Sequence, residues 1–451
     1  MLKKLVVSFL LSYSFAFGQW TNKTFPKVAS SLNIPMRIPL VELNKIVNNS
    51  TKDLLYEDNS FLDNDNDQFK IKVWKTRNIR LVAGTAQNFL VEVPLKIWAE
   101  KGIGTLGVYH YQSTSFETVM YFNTDIILTK NWGIATKTKA NGYKWVQKPV
   151  LDFGSVKIPI TPLVEKSLKK EQEKICSTID MQMGKELNFQ KNILEAWNSF
   201  QQPMLINKEY NTWLKVSPQK INLSPLKFYK DEIQTTIGIN LISETFVGEK
   251  PSENPAIKTL SPLELADIPN KKFQLMTTAQ IPITEANAIA EKQFLNKEFD
   301  FRNDKIKITA ISVKNENDKI TIDADTEGAI NGKILISGLP KYDAEKRKIV
   351  LTDTKFKLKT HNILHKTASL LFKSKIINTI EQEYGIPTDE MENNAKKSIE
   401  ESFNKSYPNG LLMSGTVYSI QPNEIDLTES NIMVLVKTEA ELKLTLNNTK
   451  D

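Results

Sequence analysis

His361 and His365 stand four residues apart, a spacing that puts two imidazoles on one helix face, where they could share a metal ion. A zinc protease of that kind also needs a glutamate beside the first histidine as general base, and Asn362 holds the place. Asp63, Asp65 and Asp67 offer oxygens as the start of a calcium loop does. Such a loop goes on to a glycine at its sixth position and a glutamate at its twelfth, where this chain has Gln68 and Trp74. Both stretches read as solvated polar segments. Cys176, the only cysteine, has no histidine near it in sequence and reads as a structural thiol. There is no G-x-S-x-G elbow, P-loop or G-x-G-x-x-G, and 17 glycines in 451 residues leave little material for phosphate cradles. The expectation is a protein that is not an enzyme, with no catalytic residue, no metal ligand and no cofactor.

The elements that carry these residues begin after an export signal. Lys3 and Lys4 precede an apolar run from Leu5 to Phe17, and small residues around Gly18 suit cleavage there. Residues 1–18 are therefore read as a signal peptide, no cysteine follows at once to take a lipid anchor, and the expected location is the periplasm or beyond. Loss of Lys3 and Lys4 lowers the formal charge from +7 to +5 in a chain with 25% charged residues. That mild basicity, without a concentrated Lys/Arg stripe, argues against nucleic acid as a partner.

The chain then says much the same thing twice. "RIPLVELNKIV" at 37–47 and "QIPITEANAIA" at 280–290 agree at Ile38/Ile281, Pro39/Pro282, Glu42/Glu285, Asn44/Asn287 and Ile46/Ile289. A second pair, "VSPQKINLS" at 216–224 and "IQPNEIDLT" at 420–428, follows in the same order, with Pro218 answering Pro422. Between the landmarks the first copy holds about 39 extra residues. Pro251, Pro255, Pro262 and Pro269 mark an extended connector. The division expected is a first module at 28–245, a proline-rich linker at 246–270 and a second module at 271–451.

Within each copy, period-two runs such as "NFLVEVPLKIWA" and "KIKITAISV" predict strands. A long helical pattern follows. In the first copy it starts at Thr161–Pro162 and carries Val164, Leu168, Ile175, Ile179, Met183 and Leu187; unbroken to Phe200 it would be about 55 Å long. In the second it runs from His361 to Tyr384 with Leu371, Ile376 and Ile380 on one face. Such stripes are ordinary core unless a curved sheet around the helix leaves its interior unfilled. The expected fold class is α+β, two tandem modules each with a long helix packed in a curved antiparallel β-sheet.

On the export signal, the two openings "IPLVELNKIV" and "IPITEANAIA", the proline connector and the closing strands, the chain resembles exported bacterial proteins of unknown function associated with the tubular lipid-binding (TULIP, BPI-like) superfamily. That resemblance implies binding or carriage of a lipid or other hydrophobic molecule in the bacterial cell envelope, with peripheral membrane contact as a further possibility. The candidate lipid-binding residues are Leu168, Ile175, Ile179, Met183, Leu371, Ile376 and Ile380. The alternative is a non-catalytic scaffold of the envelope with filled interiors. An outer-membrane barrel is disfavoured by the charged helical patterns and the proline connector. All seven tryptophans lie at or before Trp213, so intrinsic fluorescence reports on the first copy alone.

Overall fold

The computed structural model describes residues 27–447 apart from 85–87, 106, 153, 155–156, 163, 167–172, 174–175, 178, 182–183, 185–189, 209, 269–271, 302–303, 361–385 and 408–409. The signal segment 1–18 and the His361/His365 pair lie outside those residues.

The described residues are β-rich, with 62% strand and 17% helix, and this overturns the α+β expectation of a long helix packed in a sheet in each half. The helices defined among the described residues run from the four-residue turn Asp63–Asn66 to the fifteen-residue Asp389–Phe403. The physical reason lies in the strands. The alternating segments extend through residues that look like loops: Asn88–Thr105 runs for 18 residues and Val108–Leu128 for 21, paired without a register break from Asn88↔Asp125 to Thr105↔Val108. Each added pair satisfies backbone groups that would otherwise need other partners.

Three large sheets result. A ten-stranded central sheet draws strands from both halves, and each half adds a six-stranded lateral sheet. In the central sheet each opening strand pairs antiparallel with the closing strand of its own half, Ala29–Pro39 with Glu232–Ile242 and Lys272–Pro282 with Asn431–Glu441. The registers match: Ile38 lies opposite Ile233 as Ile281 lies opposite Ile432. Each opening strand also touches the other half's closing strand in parallel, Met36–Arg37 against Leu444–Thr445 and Thr277–Gln280 against Ser243–Phe246. The two opening strands thus share one gap between the closing strands, entered from opposite ends. Where they pass, Ser30 Oγ accepts from Met276 N at 2.8 Å.

The matched residues of the two copies have local jobs. Pro39 and Pro282 each stand directly before a helix, Leu40–Ser50 and Ile283–Phe294. Asn44 Nδ2 donates to Leu81 O at 3.2 Å while its Oδ1 accepts from Leu81 N at 2.7 Å. Asn287 does the same to Val313, at 2.8 and 2.7 Å. One carboxamide therefore docks each helix onto a strand by completing both backbone groups of one residue. Pro218 and Pro422 lack an N–H for the ladder, and the register shifts straight after each, between Pro218/Lys220 and Pro422/Glu424.

The proline-rich connector is held along the first half, and its described residues form no helix. Asn198 and Ile257 exchange two hydrogen bonds at 2.9 and 3.0 Å, Trp132 Nε1 donates to Ser261 O at 2.8 Å, and Leu263 N donates to Lys130 O at 2.8 Å.

Candidate functional site

The same period-two rule that builds the strands builds an interior. From the central sheet, Leu32, Ile34, Met36 and Ile38 of the first opening strand and Phe273, Leu275, Thr277, Ala279 and Ile281 of the second all point to one side. Ile233, Ile237, Ile239 and Leu241 on one closing strand and Ile432, Val434 and Val436 on the other share that side. Both lateral sheets turn an apolar face the same way, and the chamber they border measures about 4110 Å³.

Bulges keep that face apolar where the alternation changes parity. On Asp304–Glu316 the inward residues are Ile306 and Ile308 before the shift between Ile308 and Ala310, then Ile311 and Val313 after it. Without the extra residue the later pair would face outward.

Threonines in the wall do not make it polar. Thr124 shares a hydrogen bond with Thr138, Thr235 Oγ1 donates to Ser224 O, Thr277 Oγ1 to Ser243 Oγ, and Thr326 Oγ1 to Gly332 O. Each hydroxyl is committed within the wall. At the middle of the central sheet, Phe200 and Phe403 from the helices Gln190–Phe200 and Asp389–Phe403 pack with Leu32, Leu241 and Phe273.

One charged side chain of the wall, Glu392, is tied down. Glu392, on the helix Asp389–Phe403, accepts from Thr388 Oγ1 at 2.6 Å, Tyr342 OH at 2.9 Å and Arg347 Nε at 2.6 Å. Burial, and then the bond to Glu392, raises the Tyr342 pKa above its ordinary value. In the first half burial, and then a hydrogen bond to Glu165, push the Tyr143 phenol up to about 12. Asp180 accepts from Thr136 Oγ1, Thr138 Oγ1 and Thr138 N, fixing the helical residues beside it to the strand Ile134–Gln147. Cys176 is buried, and desolvation raises its thiol pKa, which is the setting of an inert thiol. At the end of the Asp63–Asp67 stretch, Asp67 Oδ1 accepts from Phe69 N at 3.0 Å and Gln68 N donates to Phe61 O at 3.1 Å.

Of the residues singled out on helix faces, Ile179 packs on the first half's apolar cluster and borders the chamber. Leu168, Ile175, Met183, Leu371, Ile376 and Ile380 lie outside the described residues. What the helix-face reading missed is the larger share of the wall, which comes from strands. The alternation in "KIKITAISV" and "KITIDAD" already contained that signal.

The site and fold thus define a β-rich protein with a large, mainly apolar chamber lined by both halves. The chain belongs to the family described as a domain of unknown function, DUF4403, matched over residues 28–446. No curated protein matches it. Among solved structures it is similar to the crystal structure of lipopolysaccharide binding protein, at 10% identity over 93% of this chain and 99% of that one, with a TM-score of 0.30. It is also similar to P47 of Clostridium botulinum E1, at 10% identity over 90% and 98% of the two chains, with a TM-score of 0.22. Similarity at that level carries no argument about ligand or activity.

Proposed function

We propose that this protein binds or carries a lipid or similar hydrophobic molecule, with the alkyl part inside the chamber, and that it does so without catalysis in the cell envelope. The observation that carries the reading is the chamber itself: about 4110 Å³ lined by the apolar faces of three sheets. Small-molecule pockets run to roughly 1,000 Å³, so the space suits extended or multiple apolar chains better than a compact metabolite. A wall made mainly of isoleucine, leucine and valine side chains, with Thr124, Thr235, Thr277 and Thr326 already bonded, suits a hydrocarbon. The resemblance of the two opening motifs to tubular lipid-binding proteins points to the same ligand class, and the reading of residues 1–18 as an export signal supports the envelope.

The test is native mass spectrometry of purified mature protein, then organic extraction and lipid analysis. A lipid adduct, or uptake from phospholipid vesicles by stripped protein, is expected. Protein that carries none and takes up none is a scaffold with a dry interior, and the lipid reading is then wrong.

A further inference from the structure

We infer that two rows of lysines, Lys137, Lys139 and Lys144 on the outer face of the first lateral sheet and Lys355, Lys357 and Lys359 on that of the second, dock this protein on an anionic phospholipid surface. Each row lies on the last long strand of its sheet, Ile134–Gln147 or Lys348–Thr360. The facing of these strands follows from their partners. Thr136, Thr138, Ala140 and Tyr143 stand opposite Ile126, Thr124, Phe122 and Met120, and Phe356 stands opposite Ile336, all of which border the chamber. The lysines alternate with these inward residues and turn outward, and all six are exposed. The register shift between Met120 and Phe122 brings Lys144 to the face of Lys137 and Lys139. In the linear sequence the inward residues dilute each row, so the charge gathers only when the strand forms.

The rows are left uncompensated. Among the described residues none of the six ammonium groups makes a hydrogen bond or an ion pair; Lys355 only helps to lower the pKa of Asp353, which Lys319 holds. Across the ladder Asp125 faces Lys137, but Asn123 faces Lys139 and Val119 faces Lys144. In the second sheet Ser337 faces Lys355, Leu335 faces Lys357 and Lys333 faces Lys359. Lys333 itself takes the nearby acids, Asp323 at 3.1 Å and Asp325 at 3.6 Å. Like charges directly opposite each other destabilise a sheet. Residues two apart on a strand stand about 6.7 Å apart, inside the ~8 Å Debye length at physiological salt, so the charges of a row also repel one another. An anionic surface relieves that repulsion. All six residues are lysine: compact charges on flexible stems suit headgroups that move laterally, and the rows lack the guanidinium forks and stacking rings that read nucleic acid. The choice of a bilayer rests on the lipid reading above, since a carrier loads and unloads there.

The test is co-sedimentation of the full-length mature chain with vesicles of phosphatidylcholine, alone or mixed with phosphatidylglycerol. Binding to the anionic vesicles only is expected, fading as salt rises to ~0.5 M. The triple variant Lys137→Gln, Lys139→Gln, Lys144→Gln and the triple variant Lys355→Gln, Lys357→Gln, Lys359→Gln should each weaken binding by about tenfold or more, with circular dichroism unchanged. A control that takes the same charge from the exposed Lys130, Lys230 and Lys258 should stay within about twofold. Equal losses in the control, or unchanged binding in both row variants, would overturn the assignment. Binding to heparin with none to vesicles would assign the rows to a soluble polyanion and overturn the bilayer. Lipid uptake from detergent micelles, read by native mass spectrometry, separates this inference from the lipid reading. Uptake without vesicle docking overturns the rows alone, docking without uptake overturns the lipid reading alone, and the absence of both overturns both.

Discussion

The two halves hang from one central sheet by matching devices, yet the side chains described on their lateral sheets differ in size and burial. Pro39 and Pro282 stop equivalent strands, and Asn44 and Asn287 dock equivalent helices. Away from those anchors the halves diverge. The first lateral sheet buries Phe116 and Phe122 almost completely, while isoleucines on the second stay half open. Shared anchoring with unshared filling means that the frame and the interior are under separate control: hydrogen bonds and proline positions set the frame, and side-chain volume sets whether it encloses a core or a space.

That comparison breaks most readily through the core. Phe116→Ala should cost about 3–5 kcal/mol, because a closed site cannot refill the void. Ile322→Ala, on a wall that already borders space, should cost less than about 2 kcal/mol. Urea unfolding of the two variants measures the gap, and equal losses would mean that the second sheet is as closely packed as the first.

The next effect is electrostatic and belongs to the second half. Glu392→Ala removes the shared acceptor of Arg347 Nε, Tyr342 OH and Thr388 Oγ1, and a lower melting temperature is expected. Thermal unfolding with and without Arg347→Met in a double-mutant cycle should show strong coupling. Additive losses would mean that the pair acts independently.

The helix anchors sharpen the comparison further. The first helix has a second clamp, since Asn48 exchanges hydrogen bonds with Ile79 N and O, both at 2.8 Å, and the position 243 residues later is Glu291. Asn287→Ala should therefore cost about 2 kcal/mol and Asn44→Ala about 1 kcal/mol, with hydrogen exchange at Val313 and Leu81 reporting each release. The opposite order would show that the second helix is held chiefly by its apolar contacts.

The smallest effect is a slope. Tyr143 keeps its proton to about 12 in the folded chain, whereas an unfolded tyrosine ionises near about 10. The unfolded chain gives up that proton first, so the stabilisation is complete below about pH 10 and fades as pH rises toward 12. Tyr143→Phe should flatten that part of the alkaline unfolding profile. Tyr342, raised for the same two reasons, adds a slope of the same sign from the second half.

Much of the frame was legible in the sequence because its signals are local. A proline ahead of a helix, an asparagine one turn inside it, and a proline before a bulge each act within a few residues, so repetition in the text became repetition in register. The fold class was not legible. Gly102 and Gly104 look like breaks, yet the strand Asn88–Thr105 runs through both, held by its partner Val108–Leu128 rather than by its own propensity. Nor was the chamber wall. Alternation marks an apolar face, but the parity change after Ile308 hides which residues continue it, and only the neighbours of that face decide whether it is filled.

The interleaved opening strands also bear on how the chain is made. Met36 and Arg37 pair with Leu444 and Thr445, so at ~5–20 residues per second a ribosome delivers the second partner about 20–80 s after the first. For that interval the nascent sheet presents an open edge, the kind that recruits strands from other chains. Non-local pairing of this sort folds slowly. The geometry that unites the two halves therefore makes late synthesis the moment of greatest exposure, when a holding chaperone would matter most.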